Sequence, residues 1–283
     1  MPRTLRHFLD AIQFEHTVFA LPFAYVAMVL AAGGWPGWHV VGWVTLAMAG
    51  ARTLAMSVNR LADRLIDAAN PRTAGRHLPT GLLRPWHMFL AAVVSGGLLG
   101  LSAWMLNPLC FSLAPLAALF LIGYSYTKRF TWASHWILGF TDGIAAAGGW
   151  IAVRGVFEPP AFVLWLALTV WIAGFDLIYA CQDVDFDRRA RLHSFPARFG
   201  IGAALLGARI CHLLTVVAFV VLGLMTGLGW LYWAGVVAVS GLFVYEHSLV
   251  SPDDLSRLDI AFFNINGYIA VILFAAVLGG RML

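Results

Sequence analysis

Two short stretches of this chain stack carboxylates along one side of a helix. In the first, Asn59, Asp63 and Asp67 stand seven, eleven and fifteen residues after Arg52. At about 100° per residue all four fall within one stripe. In the second, Asp183 and Asp187 stand seven and eleven residues after Asp176, with Tyr179 beside the stripe and Asp185 on the other side. Carboxylates four residues apart repel each other on a bare helix, and Asp176, deeper in an apolar run, is more expensive still. Ordinary helix-end charges facing water would account for either cluster alone. Two clusters with matching stripes at the same membrane face point to a cation that offsets the repulsion. Magnesium takes one or two carboxylates per ion and completes its octahedron with water and phosphate oxygens. Asp63 and Asp67 on one helix, with Asp183 and Asp187 on another, would hold metal on both sides of a diphosphate, and Asn59 would bind metal or phosphate.

The flanking segments supply the opposite charge. Arg64, Arg72, Arg76 and His77 follow the first cluster, Lys128 and Arg129 end a later apolar run, and Arg188, Arg189, Arg191 and Arg198 follow the second cluster. Guanidinium forks match phosphate geometry, which makes Arg72, Lys128, Arg129 and Arg198 candidate diphosphate ligands. The same cations also orient the chain in a membrane. Asp142 sits inside another apolar run. It either faces a cavity, paired with an arginine such as Arg52, or lies nearer the polar loop.

Composition says what must position these groups. The chain has 283 residues, 61% hydrophobic and 11% charged, with a mean hydropathy of +0.81. A soluble domain is about 25% charged, so lipid must solvate much of this surface. A spanning helix needs about 20 apolar residues, and such runs lie near 16–34, 39–62, 87–106, 109–127, 135–154, 161–182, 206–225, 229–248 and 261–280. The expectation is an all-α polytopic protein of about nine transmembrane helices forming one domain over 1–283. Segments 63–86, 128–134, 183–205 and 249–260 are polar and carry the Lys and Arg, whereas 35–38, 106–109, 155–160 and 226–229 carry none. By the positive-inside rule the first set and the N-terminus face the cytoplasm, and nine spans then put the C-terminus outside. Residues 1–15 carry Leu5, Phe8, Leu9 and Ile12 on one face and read as an amphipathic helix on that surface; a cleaved signal peptide is the alternative.

The basic residues are dispersed among spans instead of forming a stripe, which argues against nucleic-acid binding. Cys110, Cys181 and Cys211 match no zinc or redox spacing and read as small apolar residues.

The motifs resemble those of the UbiA superfamily of intramembrane aromatic prenyltransferases, written N-D-x-x-D-x-x-x-D and D-x-x-x-D. The chain offers Asn59, Asp63 and Asp67 for the first, Asp183 and Asp187 for the second, and Tyr124-Ser125-Tyr126-Thr127-Lys128-Arg129 for the basic motif after helix four. It departs at Arg60, where the first motif often has Asp. That departure, the opening Phe14 to Phe23, and the runs Asn59 to Thr73 and Gly174 to Asp187 are similar to a bacterial branch called 4-hydroxybenzoate polyprenyltransferase-like, associated with menaquinone synthesis. The resemblance implies helices around a central cavity with the active site at the cytoplasmic end, capped by the loops 63–86 and 183–205. It also implies an inner-membrane location, a magnesium cofactor, and two substrates: a polyprenyl diphosphate and a small aromatic acid. The acid would be a 1,4-dihydroxy-6-naphthoate or, as the alternative, 4-hydroxybenzoate.

On that reading Asp176 positions the ring hydroxyl or accepts the ring proton, Tyr179 and Phe175 shield an allylic cation, and Arg52 completes the catalytic set. A secondary transporter, using Arg52, Asp142 and Asp176 as a charged path, is the rival of a different class. The alcohol phosphatidyltransferases are set aside because Asp142-Gly143 lacks the arginine of their D-G-x-x-A-R signature.

Overall fold

The structure, a computed structural model, describes residues 3–13 and 15–282; Phe14 and the side chains of residues 15–20, which carry much of the opening run, lie outside the described residues. Twelve α-helices follow in chain order: α1 Arg3–Ala11, α2 Glu15–Ala32, α3 Trp38–Ala69, α4 Pro85–Leu106, α5 Pro108–Gly123, α6 Ser134–Arg154, α7 Pro159–Ala180, α8 Val184–Arg189, α9 Phe195–Phe199, α10 Ile201–Thr226, α11 Trp230–Ser248 and α12 Asn266–Met282. Turns of 3-10 helix extend α5 (Tyr124–Arg129) and α7 (Cys181–Asp183), and a π-helical turn, Ile260–Ile265, leads into α12.

Each expected span falls on a helix. Among the described residues, seven helices are long and apolar enough to cross a bilayer; α2 offers only the shorter apolar stretch Leu21–Ala32, and α11 is not among the seven. The expected all-α polytopic architecture is thus present, with seven of the about nine expected spans meeting both length and hydropathy among the described residues. The structure also moves one loop boundary: α3 runs through Asp63 and Asp67 to Ala69, and the chain leaves the helix only at Asn70-Pro71, since the residue before proline is disfavoured in the α region.

The breaks between helices are written in local chemistry. Pro85, Pro108 and Pro159 start α4, α5 and α7, where the missing N–H is harmless. Asn107 caps α5 by accepting the Cys110 N–H at 2.9 Å. Gly155 and Gly227 end α6 and α10 in the left-handed region, with φ of 67° and 61°, which glycine adopts without strain.

The chain forms two compact units, one of residues 1–21 and 42–126, the other of 22–41 and 127–283. In the first, Ala11 at the end of α1 and the following Ile12 pack with Met56, Leu83 and Met88, and Leu54 and Ala55 of α3 meet Ala92 of α4 and Leu121 of α5. The outer faces of α4 and α5 expose Val93, Val94, Trp104, Leu116 and Leu119, a surface suited to lipid and not to water. In the second unit α7 is the central element, with α6 and α10 packed along it. Small residues let these backbones approach. A Cβ on Gly139 would collide with the Thr169 carbonyl, and one on Gly143 with the Trp165 ring.

That approach sets a stability test. Gly139→Ala must push α6 off α7 and should cost about 1–3 kcal/mol. Gly148→Ala, on the same helix, meets nothing within 4 Å and should be neutral or slightly stabilising. Thermal unfolding in detergent measures both, and equal midpoints for the two variants would contradict the close packing.

Candidate active site

The first cluster lies on the last turns of α3. Asn59 Nδ2 donates to Asp63 Oδ2 at 3.1 Å. Asp67 is buried, and Arg76 Nη1 reaches its Oδ1 at 2.6 Å. The loop after α3 folds back to make that contact. Asn70 Oδ1 accepts the Arg72 N–H, Thr73 Oγ1 donates to the Asp67 carbonyl, and the Arg76 N–H bonds the Thr73 carbonyl. Arg76, noted in the sequence only as a loop cation, is thus the direct counter-charge of one candidate metal ligand. Arg72 is exposed and lines a cavity of about 270 Å³ together with Arg60 and Arg76. Arg52 lies half-buried higher on α3, and its Nε has no hydrogen-bond partner among the described residues.

Arg60 explains the departure in the first motif. It is 6% exposed, and its Nε donates to the Ala11 carbonyl at 2.9 Å. The side chain that stands where an acid is common has turned away from ligand duty. It ties the C-terminal end of α1 to α3.

The second cluster is not on one continuous helix, as the spacing predicts. The Cys181–Asp183 turn is 3-10, which advances about 120° per residue instead of 100°, so Asp183 and Asp187 are rotated by about 60° relative to the expected stripe through Asp176. Asp183 and Asp187 are buried and Asp185 is exposed, as expected of its place off the stripe. Asp187 Oδ2 is buried without a hydrogen-bond partner among the described residues. A buried carboxylate oxygen in that state calls for a positive group, and an all-oxygen donor set suits a hard cation such as magnesium.

Asp176 has a partner the sequence did not disclose. His135, fully buried at the start of α6, places its Nδ1 at 2.6 Å from Asp176 Oδ2. The Phe195 N–H donates to the other ring nitrogen, Nε2, at 3.2 Å. An accepting Nε2 leaves the ring proton on Nδ1, so the imidazole donates to the Asp176 carboxylate. Lys128 and Asp183 lie within electrostatic reach of the same carboxylate. The Lys128 carbonyl accepts the His193 N–H at 2.7 Å, which joins the basic motif to the loop after α8.

The aromatic groups also gather. Tyr179 stacks on Phe262 with centroids 4.1 Å apart, and Phe175 meets the same ring edge-on at 5.3 Å. Phe262 sits in the π-turn, whose Ala261 and Phe262 carbonyls both accept from Asn266 Nδ2; that amide also donates to the buried Glu246, and Trp171 donates to Asn266 Oδ1 at 2.7 Å. Arg188 Nε braces α9 through the Ala197 carbonyl, while Arg129 is half-buried and Arg198 is exposed over the Phe199 ring. Asp142 lies well inside α6, half-buried and away from the polar end.

The structure therefore places Lys128 and Asp183 within electrostatic reach of Asp176 in the second unit, with Tyr179 and Asp187 on the adjoining turns, and joins Asn59 to Asp63 in the first, with Asp67 on the next turn of α3. Sequence reasoning missed His135, Phe262 and Asn266. The one available signal was a lone ionisable His at the head of an apolar run, which within a span is a functional flag.

Comparison with known proteins gives three findings. The model of the UbiA prenyltransferase family matches residues 20–268. A 4-hydroxybenzoate octaprenyltransferase of Aliivibrio fischeri is 30% identical over 255 residues, covering 89% of this chain and 87% of the relative. Among solved structures, the apo form of a UbiA homolog from Aeropyrum pernix K1 superimposes with a TM-score of 0.87 at 29% identity, covering 95% of this chain and 98% of the other. A UbiA homolog from Archaeoglobus fulgidus bound to GPP and Mg2+ shares the fold, with a TM-score of 0.72 at 18% identity over 98% of this chain and 100% of the other.

Arg60 offers a direct test of the local architecture. Arg60→Ala leaves the Ala11 carbonyl without its donor and should cost about 1–3 kcal/mol. Hydrogen exchange should accelerate across residues 3–13 and not across α10. Unchanged exchange in α1 would show that Arg60 does not hold it.

Proposed function

The chain belongs to the UbiA prenyltransferase family, and from that premise we propose that it moves a polyprenyl group from a polyprenyl diphosphate onto a ring carbon of an aromatic hydroxy acid. The observation that carries this reading is the Asp176 carboxylate held by His135 at 2.6 Å beside two further buried carboxylates. Membership sets aside the transporter expectation.

Asp63, Asp67, Asp183 and Asp187 are the residues that would hold magnesium, with Asn59 on metal or phosphate. Bound magnesium supplies positive charge to the departing diphosphate. Arg72, Lys128, Arg129 and Arg198 neutralise the remaining phosphate charge. As the bond between the allylic carbon and the diphosphate oxygen breaks, Tyr179 and Phe175, locked by Phe262, present ring faces to the developing cation and keep water out. The acceptor ring attacks through carbon, and Asp176 takes the ring proton or holds the ring hydroxyl. His135 keeps Asp176 aimed. Arg52, with its unpartnered Nε, is assigned to the acceptor's carboxylate.

The relatives' activity supports 4-hydroxybenzoate as the acceptor. Arg60, which departs from the usual first motif, favours 1,4-dihydroxy-6-naphthoate as a second reading. The distribution of arginines supports a prokaryotic inner membrane with the N-terminus and the Asp-rich segments cytoplasmic. The family match over residues 20–268 supports reading residues 1–283 as a single prenyltransferase domain.

Purified protein incubated with magnesium, an all-trans polyprenyl diphosphate and either acceptor, followed by mass spectrometry of the products, tests the activity and chooses the acceptor. Asp63→Ala and Asp183→Ala should each abolish transfer; retained activity in both would sink the metal reading. His135→Ala should lower kcat by about 10²–10⁴-fold, the range for general acid–base groups, with KM for the diphosphate little changed. An unaltered kcat would remove Asp176 from the proton-transfer step.

A further inference from the structure

Away from the carboxylate clusters, two imidazoles and a carboxylate converge in the first unit. His7 and Asp10 come from α1, and His77 comes from the loop after α3. One ligand atom from each lies within 4.8 Å of the other two, and the rings of His7 and His77 are tilted by 48° with centroids 5.3 Å apart. The spacing i, i+3 puts His7 and Asp10 on one face of α1. Their backbones are held by contacts that do not involve the triad. Phe8, Leu9 and Ile12 anchor α1 in the apolar cluster with Met56 and Leu83, and Arg60 bonds Ala11. On the other side, the Leu83 N–H bonds the His77 carbonyl, and Arg76 is tied to Asp67.

We propose that His7, Asp10 and His77 bind a divalent transition metal of the zinc class, at a site separate from the magnesium site proposed above and independent of that reading. In a tetrahedral centre with ligand bonds of about 2.0–2.1 Å, ligand atoms lie about 3.4 Å apart. Closing from the present spacing asks only for side-chain rotation, and Asp10 is exposed while both imidazoles are half-exposed. Two nitrogens and one oxygen select zinc or cobalt over magnesium, which takes oxygen ligands.

Three protein ligands leave a fourth position open. Asp10 and His77 also line the cavity bounded by Arg60, Arg72 and Arg76. Three guanidiniums oppose a bare dication, so the open position is suited to an anion, which with Asp10 offsets the metal's charge. Occupancy would clip α1 to the loop whose Arg76 neutralises Asp67.

The test uses the full-length protein in detergent. With magnesium chloride in excess to fill all-oxygen sites, Co2+ is titrated in and followed by visible absorption and calorimetry. The expected result is one Co2+ per chain with the intense visible bands of tetrahedral cobalt, bleached by Zn2+. His7→Ala and His77→Ala should each weaken binding by about tenfold or more, and Asp10→Asn should weaken it while circular dichroism stays as in the parent. Absence of a tetrahedral spectrum in the unmodified protein overturns the proposal without recourse to variants. So does a spectrum that persists unchanged in both histidine variants.

Discussion

A carboxylate out of contact with bulk water has to be given a counter-group, and the rest of this structure is arranged around that requirement. Removing one partner of a buried pair leaves an uncompensated charge worth several kcal/mol, and Asp67 and Asp176 each come with a segment of chain bent to serve them. The loop after α3 turns back through Asn70 and Thr73 to bring Arg76 onto Asp67. The N–H of Phe195 at the start of α9 is spent on His135, which leaves that ring a single proton to give Asp176. Asp187 differs: among the described residues its Oδ2, like Glu246 Oε2, is buried without a hydrogen-bond partner. In the proposed mechanism the metal and its diphosphate meet that demand.

Packing and chemistry meet on α6. His135 is one turn before Gly139, and Gly139 is where α6 lies so close to α7 that any side chain would strike the Thr169 carbonyl. The close approach delivers an imidazole from one helix to a carboxylate of the next at 2.6 Å. The π-turn before α12 works in the same way. Asn266 Nδ2 donates to both the Ala261 and Phe262 carbonyls of that turn, and Phe262 stacks on Tyr179. Irregular backbone at membrane depth is tolerated where protein covers it, and here Glu246 and Trp171 complete the cover.

The elements and their order were legible because lipid imposes a coarse rule: long apolar runs broken by Pro, Gly and Asn. The two Asp stripes were legible for the opposite reason, since charge in such runs is conspicuous. What stayed hidden depends on contacts distant in sequence. No local pattern pairs His135 with Asp176, forty-one residues on, or sets Phe262 against Tyr179. The 3-10 turn at Cys181–Asp183 was also invisible, because Cys-Gln-Asp carries no proline or glycine to announce a change of pitch. Asp142 was flagged by its charge alone, and its place inside α6 does not by itself give it a task.

Arg60 shows how such a site absorbs a change of sign. Replacing an acid by arginine at the heart of an Asp-rich motif removes one oxygen ligand and shifts the local charge by two units. The structure keeps the charge and redirects the side chain: Nε goes to the Ala11 carbonyl, while the guanidinium stays within electrostatic range of Asp63, Asp67 and Arg76. At the effective dielectric of a protein interior such a cation is felt over several ångströms, so it lowers the repulsion between the remaining acids that a metal otherwise has to balance. The same bond recruits α1 to the first unit, which puts His7 and Asp10 beside His77. One side chain thus bears on the electrostatics of the motif and on the architecture next to it.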